Sequence, residues 1–596
     1  MNQLLKKGIV AILAAAFAFQ AFGCGQHEEP TAPTLVVATY EKHADAMNRL
    51  ADAFNSQNTD VQVSVRVYGS ENEKNYYLSH NADDADLYTF DYALDAENYA
   101  DKLYALNRLG TTNRYLVGTI NYLRTNDDLV YVLPTDGLYL TQCYNVGLLN
   151  ACNLEIPTTI TELVSLTGRL RKYVKEDMVS ASATVGGKDS VLFALMSMAY
   201  PLYLNTARGT DFFNRFISGE ASILDDEYVK EWTNVFEHLK ILYENGFYSL
   251  ADLDATLTDG IDRFNSGKYF AMQNSAKVFT TTDFTDRSDF RYAPFVGNTE
   301  RDGGIGSIPS FFLGLSAKTG LNNNTKAKAK KFLDFFATDE GQACIRKESI
   351  TETKEYVSYL KNTAAETPDI FADVQQKIDE GRFFLADIFY YSFSYCIDDV
   401  VSYLSDEINL ERMLEGIDRK IREGKNAARN PVAKITSTYD FDPDKLYTER
   451  TFYGDFYANA LASADYVDAV LVPSKYVRCA LLKGVLTENE LESVFPDHEL
   501  VYAEITAKTF AEIYRKIQDG TLAAPEGEGG CYPLAPKISV RNGKAVRPDG
   551  SELKDDEKIF VLIPKDVAMA TEEIRVGKET TVKQLLLSYF RRETER

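Results

Sequence analysis

Four side chains have the chemistry to contact a small polar ligand: Tyr40, Glu41, Asp91 and Tyr92. Carboxylates accept hydrogen bonds from hydroxyl groups, and a tyrosine offers a flat apolar ring with a polar hydroxyl at its edge. Each pair follows a short apolar run that predicts a buried strand. Because ligands of open α/β sheets bind beyond the carboxyl ends of the strands, these positions predict a ligand cleft.

The residue types that hydrolases use are not spaced for catalysis. The chain has five histidines, and none lies in a His-x-His, His-Glu-x-x-His or Asn-His-Glu context. Neither a Gly-x-Ser-x-Gly elbow nor a Walker loop occurs. The seven cysteines form no Cys-x-x-Cys pair, which favours small buried side chains, although a Cys143–Cys152 disulfide remains open. We therefore predict a protein that is not an enzyme, without catalytic residues, metal or cofactor.

Hydrophobic spacing predicts the elements that position the four residues. Residues 34–39 form an apolar, β-branched run, and apolar residues then recur at helical spacing as far as Phe54. Residues 61–67 alternate as a second strand, and residues 86–90 predict a third. Strand, helix and strand at this spacing form a βαβ unit, which predicts a parallel sheet covered by helices.

Composition narrows the class of partner. The formal net charge of −24 argues against nucleic acid and against peripheral binding to anionic lipid, because both require clustered Lys and Arg. At ordinary domain sizes, 596 residues predict about three to four folding units. An acidic monomer is the expectation that follows.

The first 24 residues resemble a bacterial lipoprotein signal. Lys6 and Lys7 precede an apolar run that is too short for a stop-transfer helix and ends at Gly23-Cys24. The ending is similar to a lipobox, which implies a signal peptide over residues 1–23, diacylation of Cys24, and a tether over residues 24–33. The alternative is an ordinary signal peptide cut near Gly23, which would release a soluble protein.

The order of motifs over residues 34–344 resembles the family-1 extracellular solute-binding proteins, the sugar-type binding subunits of ATP-driven importers. The similar pieces are, in chain order, the opening strand and helix that end in Phe54-Asn55, then Leu133-Pro134, Tyr144-Asn145, and residues 157–163, 264–272, 292–295 and 327–344. The resemblance implies a two-lobed periplasmic-binding-protein-like fold of type II over residues 34–424. It also implies a small solute, with carbohydrate as the first candidate, and a membrane permease as partner.

Three further residues are candidates for solute binding. Tyr144 and Asn145 are candidates for the hinge or the cleft if the chain crosses between lobes there. Trp232 could stack on a sugar ring, but Val235 and Phe236 follow it at helical spacing, which favours a place in a helix core.

A second resemblance covers the C-terminal part of the chain. Residues 425–438 lose apolar periodicity and contain Pro431, which predicts a linker. Residues 439–596 are then similar to the C-terminal, substrate-specificity domain of 5′-nucleotidases, which implies an α/β (α+β) fold. The similar pieces are residues 451–460, 464–472, 477–478, 495–501, 505–506, 532–534 and 558–561, together with Gly484 and Thr487. Helices are predicted at residues 451–460, 510–517 and 582–590.

The departures from the nucleotidase pattern concern its ligand-binding positions. Pro473-Ser474-Lys475 stands where the family has Asn-Gly-Gly, and Pro496 replaces a stacking phenylalanine. The metallophosphatase domain that precedes this module in the family has no counterpart motif here. The resemblance therefore implies a non-catalytic module with three possible nucleoside contacts, namely Arg478, His498 and Tyr532.

Together these patterns predict a lipid-anchored solute receptor on the extracytoplasmic face of the cell membrane. Two alternatives remain open. One is a sensory or interaction lipoprotein without a transport role, and the other is nucleoside or nucleotide binding through the C-terminal module.

Overall fold

The computed structural model describes residues 34–125, 127–170, 182–184, 190–218, 220–275, 289–347, 356–363, 371–380, 382–464, 467–521, 530–571 and 574–594. Cys24, the predicted signal peptide and the predicted tether up to residue 33 lie outside these residues. The described chain forms a first lobe (34–134 and 310–346), a second lobe (137–309 and 356–429) and a C-terminal module (431–594).

The first lobe is built on a five-stranded sheet with the order β2-β1-β3-β10-β4. Its strands are β1 (Thr34–Tyr40), β2 (Gln62–Tyr68), β3 (Leu87–Phe90), β4 (Val132–Pro134) and β10 (Phe312–Leu315). Its helices are α1 (Glu41–Gln57), α2 (Glu71–Ser79), α3 (Ala93–Asn98), α4 (Val117–Tyr122), α11 (Ala317–Leu321), α12 (Asn323–Phe336) and α13 (Asp339–Arg346).

The βαβ prediction is confirmed in this lobe. β1 pairs in parallel with both β2 and β3. Met47, Leu50 and Phe54 lie one turn apart on α1 and are buried against the sheet, because their spacing places them on one face of the helix. The alternating face predicted for residues 61–67 is only partly correct, since Val67 at the end of β2 is exposed.

The second lobe is built on a mixed sheet with the order β12-β9-β5-β7-β6, and β8 and β11 also pair with β5. Its strands are β5 (Gly137–Asn145), β6 (Ser182–Thr184), β7 (Ala271–Ser275), β8 (Phe290–Ala293), β9 (Ile305–Pro309), β11 (Tyr356–Val357) and β12 (Phe383–Leu385). Its helices are α5 (Val146–Ala151), α6 (Ile160–Leu170), α7 (Ser190–Ala199), α8 (Ala207–Ser218), α9 (Val229–Glu244), α10 (Leu257–Asn265), α14 (Ala372–Asp379), α15 (Asp387–Phe393), α16 (Ile397–Leu404) and α17 (Leu410–Arg429). The prediction of two α/β lobes is therefore confirmed.

The C-terminal module centres on a four-stranded sheet with the order β14-β21-β17-β22. Its strands are β13 (Pro431–Ile435), β14 (Ala469–Val470), β15 (Val472–Pro473), β16 (Gly484–Thr487), β17 (Glu499–Thr506), β18 (Pro533–Leu534), β19 (Ser539–Arg541), β20 (Lys544–Val546), β21 (Lys558–Pro564) and β22 (Arg575–Thr581). Its helices are α18 (Pro443–Leu446), α19 (Phe452–Ala464), α20 (Glu488–Val494), α21 (Ala507–Gln518), α22 (Lys565–Met569) and α23 (Val582–Thr594).

Both faces of the module's sheet are buried. Successive residues of β17 alternate between two hydrophobic clusters, with Leu500 and Tyr502 in one and Val501 and Ala503 in the other, because side chains of a strand point to opposite faces. The helices predicted near residues 451–460, 510–517 and 582–590 are confirmed as α19, α21 and α23.

The segment predicted to be a linker is ordered secondary structure instead. α17 continues to Arg429, and β13 begins at Pro431 and pairs antiparallel with β16. Pro431 misled the prediction because a proline is also tolerated as the first residue of a strand, where its missing N–H costs no ladder bond. The prediction of a linker over residues 425–438 is therefore wrong in its local structure.

Two further observations bear on predictions from the sequence. Cys143 and Cys152 are not bonded to each other, and Cys143 is buried in β5, so the open disulfide does not form. Over the described ranges, no helix is both long and apolar enough to cross a membrane.

Candidate functional site

The carboxyl ends of the strands in the two lobes point toward the same region. β1, β3 and β4 run in one direction, and β4 leads directly through Thr135 and Asp136 into β5 of the second lobe. β9 and β12 are parallel, and β9 leads through Ser310 and Phe311 back into β10 of the first lobe. The sheet edges at which α/β proteins bind ligands therefore face each other across these crossovers.

Asp91 at the end of β3 is the centre of a compact polar cluster. The Tyr40 hydroxyl donates to its carboxylate at 2.6 and 2.7 Å, and Lys42 Nζ lies 2.7 Å from Oδ2. His43 Nε2 lies 2.5 Å from Oδ1, and its ring packs 4.9 Å from that of Phe311 in the crossover. Tyr40, Lys42 and His43 converge because β1 ends at Tyr40 and the first turn of α1 follows at once.

Electrostatics keep Asp91 ionised and keep Tyr40 and His43 neutral. Burial acts to raise the pKa of Asp91, but hydrogen bonds from His43, Lys42 and Tyr40 outweigh it and hold that pKa well below its usual range. Burial lowers the pKa of His43, and burial together with Asp91 raises the pKa of the Tyr40 hydroxyl. The cluster therefore offers a carboxylate whose charge is already compensated by fixed donors.

α2 holds Asp91 from behind. The backbone N–H of Asp91 donates to Glu71 Oε1 at 2.8 Å, and Glu71 in turn lies 3.8 Å from Lys74 Nζ. Lys74 is buried, donates to the carbonyl of Thr89, and sits 4.5 Å from the centroid of Phe90. Burial lowers the pKa of Lys74 and raises that of Glu71. The turn that carries Asp91, between β3 and α3, is thus held in place by a network of buried polar groups on α2.

The second lobe contributes Asp387, which follows β12 and begins α15. Its carboxylate Oδ2 accepts a hydrogen bond of 3.1 Å from the backbone N–H of Ala93, the first residue of α3 in the first lobe. Next to it, Leu94 is buried within the hydrophobic cluster of the second lobe. The two lobes are therefore in direct contact beside Asp91, and we refer to this arrangement as closed.

Buried polar groups tie the crossovers together. The Thr135 hydroxyl accepts from the backbone N–H of Ser310 at 2.8 Å and of Phe311 at 3.2 Å. Asp136 forms an ion pair with Arg346, the last residue of α13, and both side chains are only 3% exposed. Burial raises the pKa of Asp136 to about 7, against the opposing charge of Arg346. These contacts hold the crossover segments together at the boundary between the two lobes.

Of the four residues predicted at the strand ends, Tyr40 and Asp91 are brought into contact. Tyr92 is half-buried next to them, and burial, reinforced by Asp91 and other carboxylates, raises its pKa to about 12. Glu41 is exposed at the start of α1 and has no described contact with Asp91. The structure therefore gathers part of the predicted set at the cleft.

Tyr144 and Asn145 do not lie at a crossover, so their assignment to the hinge is wrong. They end the central strand β5, and they are 2% and 5% exposed. The Asn145 side chain accepts from the backbone N–H of Leu148 at 2.9 Å and caps α5. The crossover occurs at the other end of β5, before Gly137, where a Cβ atom would come within 2.2 Å of the Ser307 and Tyr359 hydroxyls.

Trp232 lies in a helix core, as the helical spacing of the apolar residues after it predicted. In this conformation it cannot stack on a sugar. Its side chain is fully buried on α9. The ring centroids of Phe393 and Phe212 lie 5.3 and 5.7 Å away. No face of the indole is left for a solute.

The three candidates in the C-terminal module occupy different surroundings. The ring of His498 stacks on that of Tyr476 at a centroid distance of 3.8 Å, and burial together with the charge of Arg478 lowers its pKa. Arg478 itself is next to Glu73 of the first lobe, while burial lowers its pKa. Tyr532 donates its backbone N–H to the carbonyl of Tyr447 at 2.7 Å.

Sequence reasoning missed Lys42, His43 and Asp387. Lys42 and His43 could have been predicted as site residues. They follow Tyr40 in the first turn of a helix that begins where a strand ends, and ligands bind at that end of the sheet. Asp387 could not be predicted from the sequence. The strand before it, β12, has only three residues, and its hydrogen-bond partner is a backbone N–H of the other lobe.

The arrangement suits binding rather than reaction. The cleft edge carries the carboxylate of Asp91, which is 11% exposed, tyrosine hydroxyls and a lysine that is 59% exposed, whereas Asp387 is fully buried between the lobes. In the described ranges, no group of three or more His, Cys, Asp and Glu residues is placed to hold a metal ion. Fixed donors and acceptors of this kind orient a polar solute by hydrogen bonding.

Comparison with known proteins identifies the family of the chain. A family model described as bacterial extracellular solute-binding protein matches residues 40–343, just over half of the chain. The chain belongs to this family. Such solute-binding proteins are extracytoplasmic, bind small molecules, usually work with importer permeases, and are generally not enzymes. A search of curated protein sequences finds no match.

Solved structures of solute-binding proteins share the fold. A family-1 protein from Bifidobacterium longum subsp. infantis is 15% identical, with a TM-score of 0.55 over 65% of this chain and 99% of its own. A binding protein from Bacillus subtilis subsp. subtilis in an open conformation is 15% identical, with a TM-score of 0.54 over 67% and 100%. The bacterial receptor AcbH, which has an exclusive preference for β-D-galactopyranose, is 14% identical, with a TM-score of 0.53 over 67% and 100%. At these identities the likeness extends to the fold of the two lobes.

Proposed function

We propose that this protein is a lipid-anchored receptor that captures a small solute between its lobes for an ATP-driven importer. The observation that carries the proposal is the hydrogen bond between the lobes beside Asp91: Asp387, just after β12 of the second lobe, accepts from the backbone N–H of Ala93, two residues after Asp91 in the first lobe. Closure of two lobes around a ligand is a recognised switching motion. A permease could then distinguish the closed from the open receptor.

The topology of the first lobe supports the type II assignment. In the order β2-β1-β3-β10-β4, β10 returns from the second lobe and is inserted between β3 and β4. The chain thus crosses between the lobes at residues 134–137 and 309–312, and a third time between Arg346 and Tyr356. We propose that these crossovers form the hinge.

Carbohydrate is the solute class that we propose. The cleft groups are hydroxyls, carboxylates and an amine, which match the alternating donors and acceptors of a sugar. The exclusive preference of AcbH for β-D-galactopyranose adds support, because that receptor shares the two-lobed fold.

A ligand screen with matched variants tests this proposal. We expect a carbohydrate to raise the melting temperature, because a ligand that binds only the folded state stabilises it by mass action. In Asp91→Asn combined with Tyr40→Phe the affinity should fall about tenfold to a hundredfold, the effect of losing hydrogen bonds to a charged group. Calorimetric titration measures the affinity. Asp52→Asn, which makes the same charge change at an exposed position of α1, should bind as the wild type does.

The outcomes of the screen separate the candidate functions. Oligosaccharides, nucleosides, nucleotides and peptides are the ligands to compare. A carbohydrate shift that persists unchanged in the Asp91 variant would contradict the placement of the site. A shift with nucleosides alone, lost in His498→Ala, would favour the module, for which the Tyr476–His498 ring stack is the specific support. No shift at all would favour a sensory or interaction protein.

The lipid anchor gives a separate prediction. Cys24→Ala removes the thiol that would be acylated, so the protein should appear in the soluble fraction of the host cells instead of the membrane fraction. Immunoblots of the two fractions measure the change. Cys152→Ala, a half-buried cysteine of the second lobe, is the control and should stay membrane-bound. Retention of the Cys24 variant on membranes would contradict the anchor.

We propose that the C-terminal module is nucleotidase-like and non-catalytic. The support is its α/β sheet, which is covered on both faces, and the agreement of α19, α21 and α23 with the helices that the resemblance implies.

A further inference from the structure

The C-terminal module is attached to both lobes, and one segment makes both attachments. Residues 482–494, the bridging segment, include β16 and α20 and contact α2 of the first lobe on one side. On the other side, they pack against α17 and pair with β13. α2 is also the helix whose Glu71 supports Asp91 at the cleft.

The attachment to the second lobe is rigid. α17 buries Met413, Leu414 and Ile417 in the core of that lobe, and only Asn430 separates it from β13. The backbone N–H of Glu488 donates to the carbonyl of Asn430 at 3.1 Å. The bridging segment therefore has to move with the second lobe.

The attachment to the first lobe is specific and partly buried. Tyr76 of α2 is 1% exposed, belongs to the hydrophobic cluster of the module, and accepts a hydrogen bond of 2.7 Å from the backbone N–H of Leu482. The Ser79 hydroxyl donates to Glu490 Oε1 at 2.6 Å, and His80 Nε2 lies 3.2 Å from the carbonyl oxygen of Val485. If the first lobe rotates away from the second, either these contacts to α2 or the packing of the bridging segment against α17 must be lost.

We propose that the C-terminal module is a clamp that holds the two lobes in the closed arrangement. The inference deepens the proposed receptor function, although its physical basis is the interface alone. Opening a two-lobed receptor is a rigid-body rotation about the crossovers, so any third body fixed to both lobes adds its own interface to the energy of opening. Solute binding and module docking are then coupled, since both favour the same arrangement.

Hydrogen exchange at the lobe contact tests the clamp in the full chain without any solute. The Ala93 N–H, which donates to Asp387 of the opposite lobe, is exposed when the lobes separate. Tyr76→Phe leaves the buried N–H of Leu482 without its acceptor, which weakens the interface and should raise the open population about tenfold. Exchange in the peptide covering residues 91–98 should accelerate by that factor. Ser79→Ala, at the edge of the interface, should accelerate it by a smaller factor.

Tyr457→Phe is the matched control. Its hydroxyl is also buried in the module, but it has no hydrogen-bond partner among the described residues, so its removal should leave exchange at residues 91–98 unchanged. Unchanged exchange there in both Tyr76→Phe and Ser79→Ala would overturn the clamp, most directly if exchange in α20 rises at the same time. Because no solute is added, this result is independent of whether the proposed carbohydrate binds.

Discussion

Replacing Arg346 by methionine should lower the free energy of unfolding by roughly 1–3 kcal/mol at pH 8. Arg346 pairs with Asp136 where the chain crosses between the lobes, and both side chains are 3% exposed. Methionine fills a similar volume but leaves the carboxylate buried without its opposite charge. Removing one partner of a buried ion pair costs far more free energy than the intact pair contributes to stability, because the remaining charge is left buried without compensation. Urea unfolding followed by circular dichroism measures the loss.

The pH dependence of this loss has a definite sign. Burial raises the folded-state pKa of Asp136 to about 7, above its ordinary value of 3.8. Such a carboxyl stabilises the fold fully below pH 3.8 and progressively less as the pH rises toward 7. Without Arg346 the pKa rises further, so ionisation continues to oppose folding above pH 7. The penalty in Arg346→Met should therefore be larger at pH 8 than at pH 5.5.

Two variants check the cause. Arg419→Met breaks an ion pair with Glu423 on α17 whose side chains are 59% and 62% exposed, so it should cost less than about 1 kcal/mol. Asp136→Leu combined with Arg346→Met removes both charges and should recover most of the stability. If the double variant is as unstable as Arg346→Met, the loss comes from packing and not from the unpaired charge.

The crossover illustrates what the sequence could not reveal. The sequence resemblance included Leu133-Pro134, which ends β4, but nothing in the spacing of residues predicts that Asp136 meets Arg346. The two are 210 positions apart, and their pairing depends on the chain returning to the first lobe through β10. Long-range polar contacts of this kind are properties of the assembled fold.

Local patterns predicted the first lobe well. The β-branched run at residues 34–39 and the apolar spacing to Phe54 became β1 and α1 because local preference and burial act in the same direction there. Asp91 was found by the same reasoning, since it follows a buried strand. Its partner His43 lies in the first turn of α1, directly after β1. The spacing of Tyr40 and His43 across this turn was visible in the sequence, but the prediction did not use it.

The errors arose where a residue type has two structural uses. Pro431 signals a loop in many chains, yet here it begins β13. Tyr144 and Asn145 are polar residues at a strand end, but β5 is the central strand of its sheet and is covered on both faces by helices and neighbouring strands. Only the assembled sheet decides which end of a strand faces the cleft.

Replacing Trp232 by alanine should lower the free energy of unfolding by about 3–5 kcal/mol, because a large buried aromatic side chain would leave a cavity. The indole lies among Phe212, Phe236 and Phe393 at centroid distances of 5.7, 5.9 and 5.3 Å, in the helical core of the second lobe. Trp232→Phe keeps most of this packing and should cost a smaller amount. Phe452→Ala, at a position that is 79% exposed, should change stability by about 0.5 kcal/mol or less.

Fluorescence separates this structural role from solute contact. Trp232 is the single tryptophan of the chain, so the intrinsic tryptophan emission reports the core of the second lobe. We expect a blue-shifted emission in the folded protein that shifts to the red on unfolding. A carbohydrate identified in the ligand screen should leave it nearly unchanged, and it should bind Trp232→Phe with wild-type affinity. Strong quenching by the sugar, or loss of its binding in Trp232→Phe, would restore Trp232 as a stacking residue and would require the cleft to extend into α9.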